Sequence, residues 1–356
     1  MEINAEVRQK KPRDKSRKII FRVDASKEVG MGHLVRCLAL ASELQEQHFC
    51  EITFVTTGNN GISGMIKKRG FGVKVLLQNI SKGDELNQLI EFARECSAEA
   101  VILDLKNKID AEYILELKKL NVPLISIDNE SEAAFFADIN ILPVAHFVKD
   151  RKWESYQGKL YFGPEYVILR REFQKDYPRP NNKIPNILIT MGGSDAENLT
   201  EKILSAILPI PNVNITVILG KFFVFYDKIR QMITGKNNIT ICQDVPNVAE
   251  IMSKADLAIT YFGVTAYELA RMGVPAIIIA HSIKDKNNAV RFAEYGICIS
   301  LGYSKEVNKQ KIYSTARKLL SSEELREKIS NKRSIDGRGA ERIAKIIVNS
   351  EKRNIW

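Results

Sequence analysis

Two stretches of this chain repeat one local pattern: a short apolar, β-rich run, a glycine turn, and an amphipathic helix. The first runs from Lys18 to Asp24, through Gly30-Met31-Gly32, into a helix predicted from about His33 to Gln47 with Leu34, Leu38, Leu40, Ala41 and Leu44 on its apolar side. The second runs from Asn186 to Thr190, through Met191-Gly192-Gly193-Ser194-Asp195, into a helix predicted over Ala196 to Leu208. A strand that feeds a helix through a tight glycine turn opens a parallel sheet, because only a helical crossover returns the chain to lay down the next parallel strand. Finding that opening twice predicts two such sheets.

The intervening pattern agrees. After the first unit, strands are predicted at Ile52–Thr56, Val73–Leu77, Val101–Asp104, Pro123–Asp128 and Ile139–Leu142, with helices at Gly61–Lys68, Asp84–Cys96 and Ala111–Leu120 between them. After the second, strands are predicted at Asn214–Leu219, Ile239–Cys242, Leu257–Thr260 and Pro275–Ala280, with helices at Tyr226–Ile233, Val248–Lys254 and Thr265–Met272 and a closing helical region. Strands apolar on both faces are covered by helices on both sides. The segment 149–183 interrupts the alternation with Trp153, Tyr156, Tyr161, Phe162 and Tyr166, and 176–185 is polar and proline-rich. The expected organisation is therefore a basic tail over 1–17, a Rossmann-like domain over 18–175, a linker over 176–185 and a second Rossmann-like domain over 186–356, whose last helix can pack back on the first domain. A chain of 356 residues suits two cores better than one.

Composition narrows the class. The chain is 45% hydrophobic and 27% charged, ordinary globular values. No apolar run reaches the roughly 18 residues of a membrane span, and the charged start MEINAEVRQKKPRDKSRK lacks a signal-peptide core; a cytoplasmic chain is the expectation. Cys37, Cys50, Cys96, Cys242 and Cys298 are odd in number and far apart, which predicts buried thiols rather than disulfides or a zinc site. The net charge of +10 suits anionic ligands, whether a nucleotide diphosphate, a nucleic acid or an acidic membrane surface; solvated helix faces account for it equally well.

Ligands of such sheets bind beyond the carboxyl ends of the strands, so three loops hold the candidates. In the first, Gly30 and Gly32 let a ligand approach the helix N-terminus. His33, at the start of that helix, either caps and packs or points into the cleft, and Arg36 faces the cleft or solvent one turn on. The third glycine of a dinucleotide fingerprint is absent, since Val35 stands there. In the second, Gly192 and Gly193 free amides for an anion, and Ser194 or Asp195 offers a helix cap. The third, Thr260-Tyr261-Phe262-Gly263-Val264-Thr265, opens a helix whose N-terminus suits a diphosphate. One turn in, Glu268 either accepts hydrogen bonds from ribose or pairs with Arg271. Asp104 and Asp128 end strands on the cleft side, where a carboxylate either serves the site or caps the helix that follows. No D-x-D carboxylate pair, P-loop or nucleophile elbow occurs, so neither a metal nor a cofactor is expected. His48, His146 and His281 are solitary and read as structural.

These loops, in this order, resemble the GT-B nucleotide-sugar fold, and more closely the family of UDP-2,4-diacetamido-2,4,6-trideoxy-β-L-altropyranose hydrolases of pseudaminic acid biosynthesis. The segments that carry the resemblance are FRVDAS (21–26), GMGHLVRCLALA (30–41), GPEYVILRREF (163–173), MGGSDAENLT (191–200) and GVTAYELARMGVPA (263–276), within about residues 18 to 300. The resemblance implies metal-independent hydrolysis of the C1–O bond of a UDP-linked deoxyamino sugar, with inversion, and His33 as the catalytic residue. It places Asp24, Gly30, Gly32, Arg36, Asp104, Lys106 and Asp128 on the sugar side, and Gly192, Gly193, Ser194, Asp195, Gly263, Val264, Thr265 and Glu268 on the nucleotide side.

Three positions differ from the family's usual pattern. Asp104-Leu105-Lys106 stands where Asp-His-Tyr is common, Phe262-Gly263-Val264-Thr265 where Gly-Gly-Ser-Thr is usual, and Asn287-Asn288 where an Asn-Gln pair is usual. These differences and the basic ends favour an alternative: a glycosyltransferase that passes the sugar to a glycan or lipid acceptor, with peripheral membrane contact. A third reading, a UDP-sugar binding protein without turnover, is opposed by the presence of His33. A nucleic-acid partner is not expected.

Overall fold

A computed structural model describes residues 16–350 apart from 25–30, 58–59, 78–79, 106–108, 130, 144–152, 179–181, 194, 244 and 331–334. Gly30, Lys106, His146 and Ser194 therefore lie outside the described residues. The first half comprises β1 (Lys18–Val23), α1 (Gly32–His48), β2 (Glu51–Thr56), α2 (Asn60–Lys68), β3 (Gly72–Val75), α3 (Lys82–Glu95), β4 (Ala100–Asp104), α4 (Ala111–Leu117), β5 (Leu124–Ile127), β6 (Ile139–Leu142) and β7 (Lys159–Phe162). Its seven strands form one parallel sheet in the order β3-β2-β1-β4-β5-β6-β7.

The second half comprises β8 (Asn186–Thr190), α5 (Leu199–Ile207), β9 (Asn214–Leu219), α6 (Tyr226–Ile233), β10 (Ile239–Gln243), α7 (Val248–Ser253) and β11 (Leu257–Tyr261). It continues through α8 (Val264–Met272), β12 (Ala276–Ala280), α9 (Ile283–Glu294), β13 (Cys298–Tyr303), α10 (Lys309–Ser321), α11 (Glu323–Ser330) and α12 (Gly339–Val348). The six strands pair in parallel in the order β10-β9-β8-β11-β12-β13. Each sheet is sandwiched between helices. Central strands such as β4 and β5 are buried along their whole length, which is why they read as unbroken apolar runs.

Two strands escape the sequence pattern, and both lie at a sheet edge. β7 is a half-exposed KLYF run held by its ladder to β6. β13 carries Ser300 and Gly302, and its pairing with β12 shifts register between Ile278 and Ile279. Edge strands need only one apolar face, so their signal is weak. The predicted start of α5 also moves, from Ala196 to Leu199, because Asp195 (φ 43°) and Asn198 (φ 52°) take the left-handed conformation and break the helix there. Of the cysteines, Cys37, Cys50 and Cys298 are buried while Cys96 and Cys242 are only half-buried; all five are free thiols.

The two halves share apolar contacts. Ala340, Ile343, Ala344 and Ile347 of α12 belong to the same buried cluster as Leu34, Leu38 and Ala41 of α1. Arg17, just before β1, donates to the carbonyls of Ile347 and Ser350 and so satisfies the C-terminal end of α12. Conversely, Val167, Leu169 and Phe173 pack with Leu269 and Ala270 of α8. The chain thus crosses twice between the sheets, ahead of the proline-rich stretch and again before α12. Among the described residues, no helix is long and apolar enough to cross a membrane.

Candidate active site between the two sheets

Each sheet has one point where consecutive connections run in opposite directions, and there the loops diverge to leave a crevice. In the first sheet this point lies between β1 and β4, and in the second between β8 and β11. The loops singled out from sequence leave these strands.

In the first crevice the opening turn of α1 meets the end of β4. His33 Nδ1 lies 2.6 Å from Asp104 Oδ1, and Arg36 grips the same carboxylate through Nε to Oδ2 and Nη2 to Oδ1, both at 2.6 Å. Arg36 Nη1 also donates to Asp128 Oδ2 at 2.7 Å, just beyond β5. From the next position Cys37 Sγ donates to Asp104 Oδ2 at 3.2 Å. Helical spacing accounts for the arrangement: positions 33, 36 and 37 lie on one face of α1, which is turned toward β4. Burial opposes ionisation of Asp104, but Arg36 and then His33 outweigh it, and the carboxyl is held well below the usual range.

His33 Nδ1 also lies 2.9 Å from Arg36 Nη2, but that nitrogen donates to Asp104 Oδ1 at 2.6 Å, and the ionised Asp104, also 2.6 Å from Nδ1, only accepts. The proton of a neutral His33 therefore sits on Nδ1, and the Nε2 lone pair faces away. The His33 side chain is 20% exposed, and Nε2 has no hydrogen-bond partner among the described residues. The arrangement is an oriented imidazole with one open basic nitrogen. Asp24 is placed differently. It is buried, pairs with Arg22 at 2.6 Å and accepts from the amide and hydroxyl of Thr57, so it fixes the end of β1.

The second crevice brings the two remaining loops together. The Gly192-Gly193 turn packs against Gly220 at the end of β9, and Gly193 O accepts from the amide of Phe222 at 3.0 Å. A Cβ on Gly220 would stand 2.3 Å from the carbonyl oxygens of both Gly192 and Gly193. The obstruction is backbone rather than a movable side chain. Gly220→Ala is therefore expected to lower stability by about 1–3 kcal/mol through forced displacement of this turn, read as a lower urea midpoint at unchanged m-value.

Asp195 is buried, and its two carboxylate oxygens accept the amides of Leu199 and Thr200 at 2.8 Å each. It caps the start of α5, one of the two roles the sequence offered it, with both carboxylate oxygens engaged by backbone amides. Glu268 is buried within α8 and pairs not with Arg271 but with Arg170, at 2.9 Å from Nη2. Burial pushes the Glu268 carboxyl up, and Arg170 opposes that shift. Arg271 instead pairs with Asp176.

The two crevices face each other. A Cβ on Gly32 would stand 3.4 Å from Val264 Cγ2, and a Cβ on Gly193 would stand 3.6 Å from Met31 Cγ. The first turn of α1 therefore lies against the first turn of α8, with Gly263, Val264 and Thr265 at the junction. Most long helices here are capped by a side chain, for example α3 by Ser81, α9 by Ser282 and α10 by Asn308. At α1 and α8 neither Met31 nor Gly263 supplies one, and neither first turn contains an acid. Two positive helix ends meeting in a cleft form an anion site.

Sequence reasoning found His33, Arg36, Asp104, Asp128, Gly192, Gly193 and the 263–265 turn, and the structure gathers them around one cleft. It did not single out Cys37, Arg170 or Tyr261. Cys37 was legible as the residue one step past Arg36 on the same helical face; Arg170 carries no local signal, because its partner lies 98 residues away.

Known proteins extend this picture. Residues 186–346 match the glycosyltransferase family 28 C-terminal domain. The Methanocaldococcus jannaschii protein MJ1062 is 33% identical over 275 residues, 74% of this chain but 55% of its own length, so the match spans about half of that relative. The spore coat polysaccharide biosynthesis protein SpsG of Bacillus subtilis is 26% identical over 91% of this chain and 96% of SpsG. The UDP-2,4-diacetamido-2,4,6-trideoxy-β-L-altropyranose hydrolase of Campylobacter jejuni is 26% identical over 67% of this chain and 82% of that enzyme. Among solved structures, MurG of Acinetobacter baumannii shares a TM-score of 0.70 at 16% identity, over 94% of this chain and 100% of MurG. MnaA of S. aureus, solved with UDP, shares a TM-score of 0.64 at 16% identity, over 96% of this chain and 100% of MnaA. Two parallel-sheet domains with facing crevices and these structural likenesses agree: the chain has the GT-B fold, and its second domain is similar to the glycosyltransferase family 28 C-terminal domain.

Proposed function

We propose that this protein is a nucleotide-sugar hydrolase that cleaves the C1–O bond of a UDP-linked deoxyamino sugar and releases free sugar and UDP. The observation that carries the reading is the Asp104–His33 pair beside two uncapped helix ends. His33 Nε2 accepts a proton from water as the water oxygen attacks C1. The C1–O bond breaks with its electron pair passing to the diphosphate oxygen. Asp104 holds the imidazole in the required tautomer and balances its charge, as an orienting carboxylate does in other His-based catalysts. The first-turn amides of α1 and α8 stabilise the charge that gathers on the diphosphate. Asp128, with one oxygen not taken by Arg36, accepts a hydroxyl or amide N–H from the sugar. The Campylobacter hydrolase supports the reaction class, and the UDP-bound MnaA likeness supports uridine diphosphate as the leaving group.

A second reading is transfer of the sugar to an acceptor hydroxyl, with His33 as the base for that hydroxyl. The match to the glycosyltransferase family 28 C-terminal domain favours it. One experiment separates the two: release of UDP from a panel of UDP-sugars, without acceptor and without added metal. Multiple turnovers that yield free sugar are expected. Tight UDP binding without release would overturn the hydrolase and direct the search to acceptors.

A further inference from the structure

Tyr261, the last residue of β11, projects its ring between the two glycine turns of the second domain. A Cβ on Gly192 would stand 2.5 Å from Tyr261 Cε1 and 3.1 Å from its hydroxyl oxygen; a Cβ on Gly263 would stand 2.7 Å from Cε2 and 2.8 Å from the same oxygen. Glycine at both positions therefore makes room for this ring. Gly192 is also left-handed, at φ 75°. The His281 ring lies 5.0 Å away on a tilted face. Around it, His281 Nδ1 is 3.8 Å from Glu197, and Glu197 accepts from the hydroxyl of Ser304 at 2.7 Å. The ring is fixed on three sides, and its hydroxyl lies between the Gly192 turn and the uncapped start of α8. That hydroxyl has no hydrogen-bond partner among the described residues.

We infer that Tyr261 is a specificity-determining residue whose hydroxyl donates a hydrogen bond to a non-bridging oxygen of the nucleotide's diphosphate. The inference rests on the nucleotide-sugar reading and adds to it a side-chain donor beside the backbone amides of the two glycine turns. A phenol suits the role. Burial, with Glu268 and Asp285 adding to it, pushes its pKa up to about 12, so it remains a donor at neutral pH. A hydroxyl also recognises a diphosphate without metal, because its O–H aligns with an ionised oxygen to form a charge-assisted bond.

The test is Tyr261→Phe, which keeps the ring and its packing and removes the oxygen alone. Binding of UDP, UMP, uridine and inorganic pyrophosphate to the full chain would be measured by titration calorimetry for both forms. Affinity for UDP and pyrophosphate is expected to fall roughly tenfold or more, the usual effect of deleting a donor to a charged group, with uridine binding unchanged. In turnover, KM for the UDP-sugar is expected to rise. Equal UDP affinity in the two forms would overturn the role of Tyr261 and leave the nucleotide-sugar reading standing. An equal loss for uridine would also overturn it, since the ring would then serve the nucleoside. If the unaltered protein binds none of UDP, UMP or pyrophosphate, the nucleotide-sugar reading falls and the inference falls with it.

Discussion

Replacing His33 by alanine is expected to lower metal-independent UDP release by roughly 10²–10⁴-fold, with UDP affinity nearly unchanged. The magnitude is that of removing a positioned general base. The sparing of affinity follows from the proposed division of labour, in which helix amides and the glycine turn hold the diphosphate while the imidazole serves the reacting carbon. Steady-state release and UDP titration on the same preparation check both halves. A His33→Gln variant serves as a control for shape: glutamine can reach Asp104 but offers no basic nitrogen, so it should be as slow as alanine. Activity within a few-fold of the unaltered protein in either variant would remove His33 from the mechanism.

Asp104→Asn is expected to act on two properties at once. Asparagine presents an N–H where Asp104 presents only acceptors, so it turns the neutral imidazole into the opposite tautomer. The proton then sits on Nε2, and a fall of roughly 10²–10⁴-fold in UDP release follows. The same change leaves Arg36 with only Asp128 as a charged partner, in a site where Asp104 received both Nε and Nη2. Breaking a buried pair by neutralising one partner typically costs about 3–5 kcal/mol.

The stability difference should depend on pH in one direction. A carboxyl held below its unfolded value stabilises the fold fully above that unfolded value, about 3.9 for aspartate, and the stabilisation fades as pH falls toward the depressed native one. Urea midpoints of the two forms should therefore lie far apart at pH 7 and draw together below about pH 4. A gap that stayed constant into acid would mean that packing, and not the charge on Asp104, sets the difference. His33→Ala leaves Arg36 and Asp104 paired, so the two variants should match in activity and diverge in stability.

The parallel sheets were legible from the chain because their evidence is local. Buried strands such as AVILD and LISI must be apolar throughout, and glycine turns mark where a strand hands over to a helix. His33 was legible for the same reason, as an imidazole at the first turn of a helix that follows a glycine. The edge strands β7 and β13 were not, since a strand with one exposed face keeps little of the pattern. Nor was the start of α5, where two left-handed residues delay the helix by three positions.

What the side chains do at the site was decided by the tertiary fold. In the sequence Asp195 read as a nucleotide contact or a helix cap, and Glu268 as a ribose contact or a partner of Arg271. In the structure one caps α5, and the other is paired with an arginine from the segment that crosses between the sheets. Asp104 gained its role only when β4 was laid beside β1, which brought it within reach of three side chains on one face of α1. Tyr261 lay in a loop already singled out, yet nothing local revealed that two glycines had been left bare to receive its ring. Backbone periodicity is set by neighbours along the chain and can be read from their spacing. Which donor meets which acceptor is set by the order of strands in a sheet and by how two sheets face, and those distances exist only once the chain has folded.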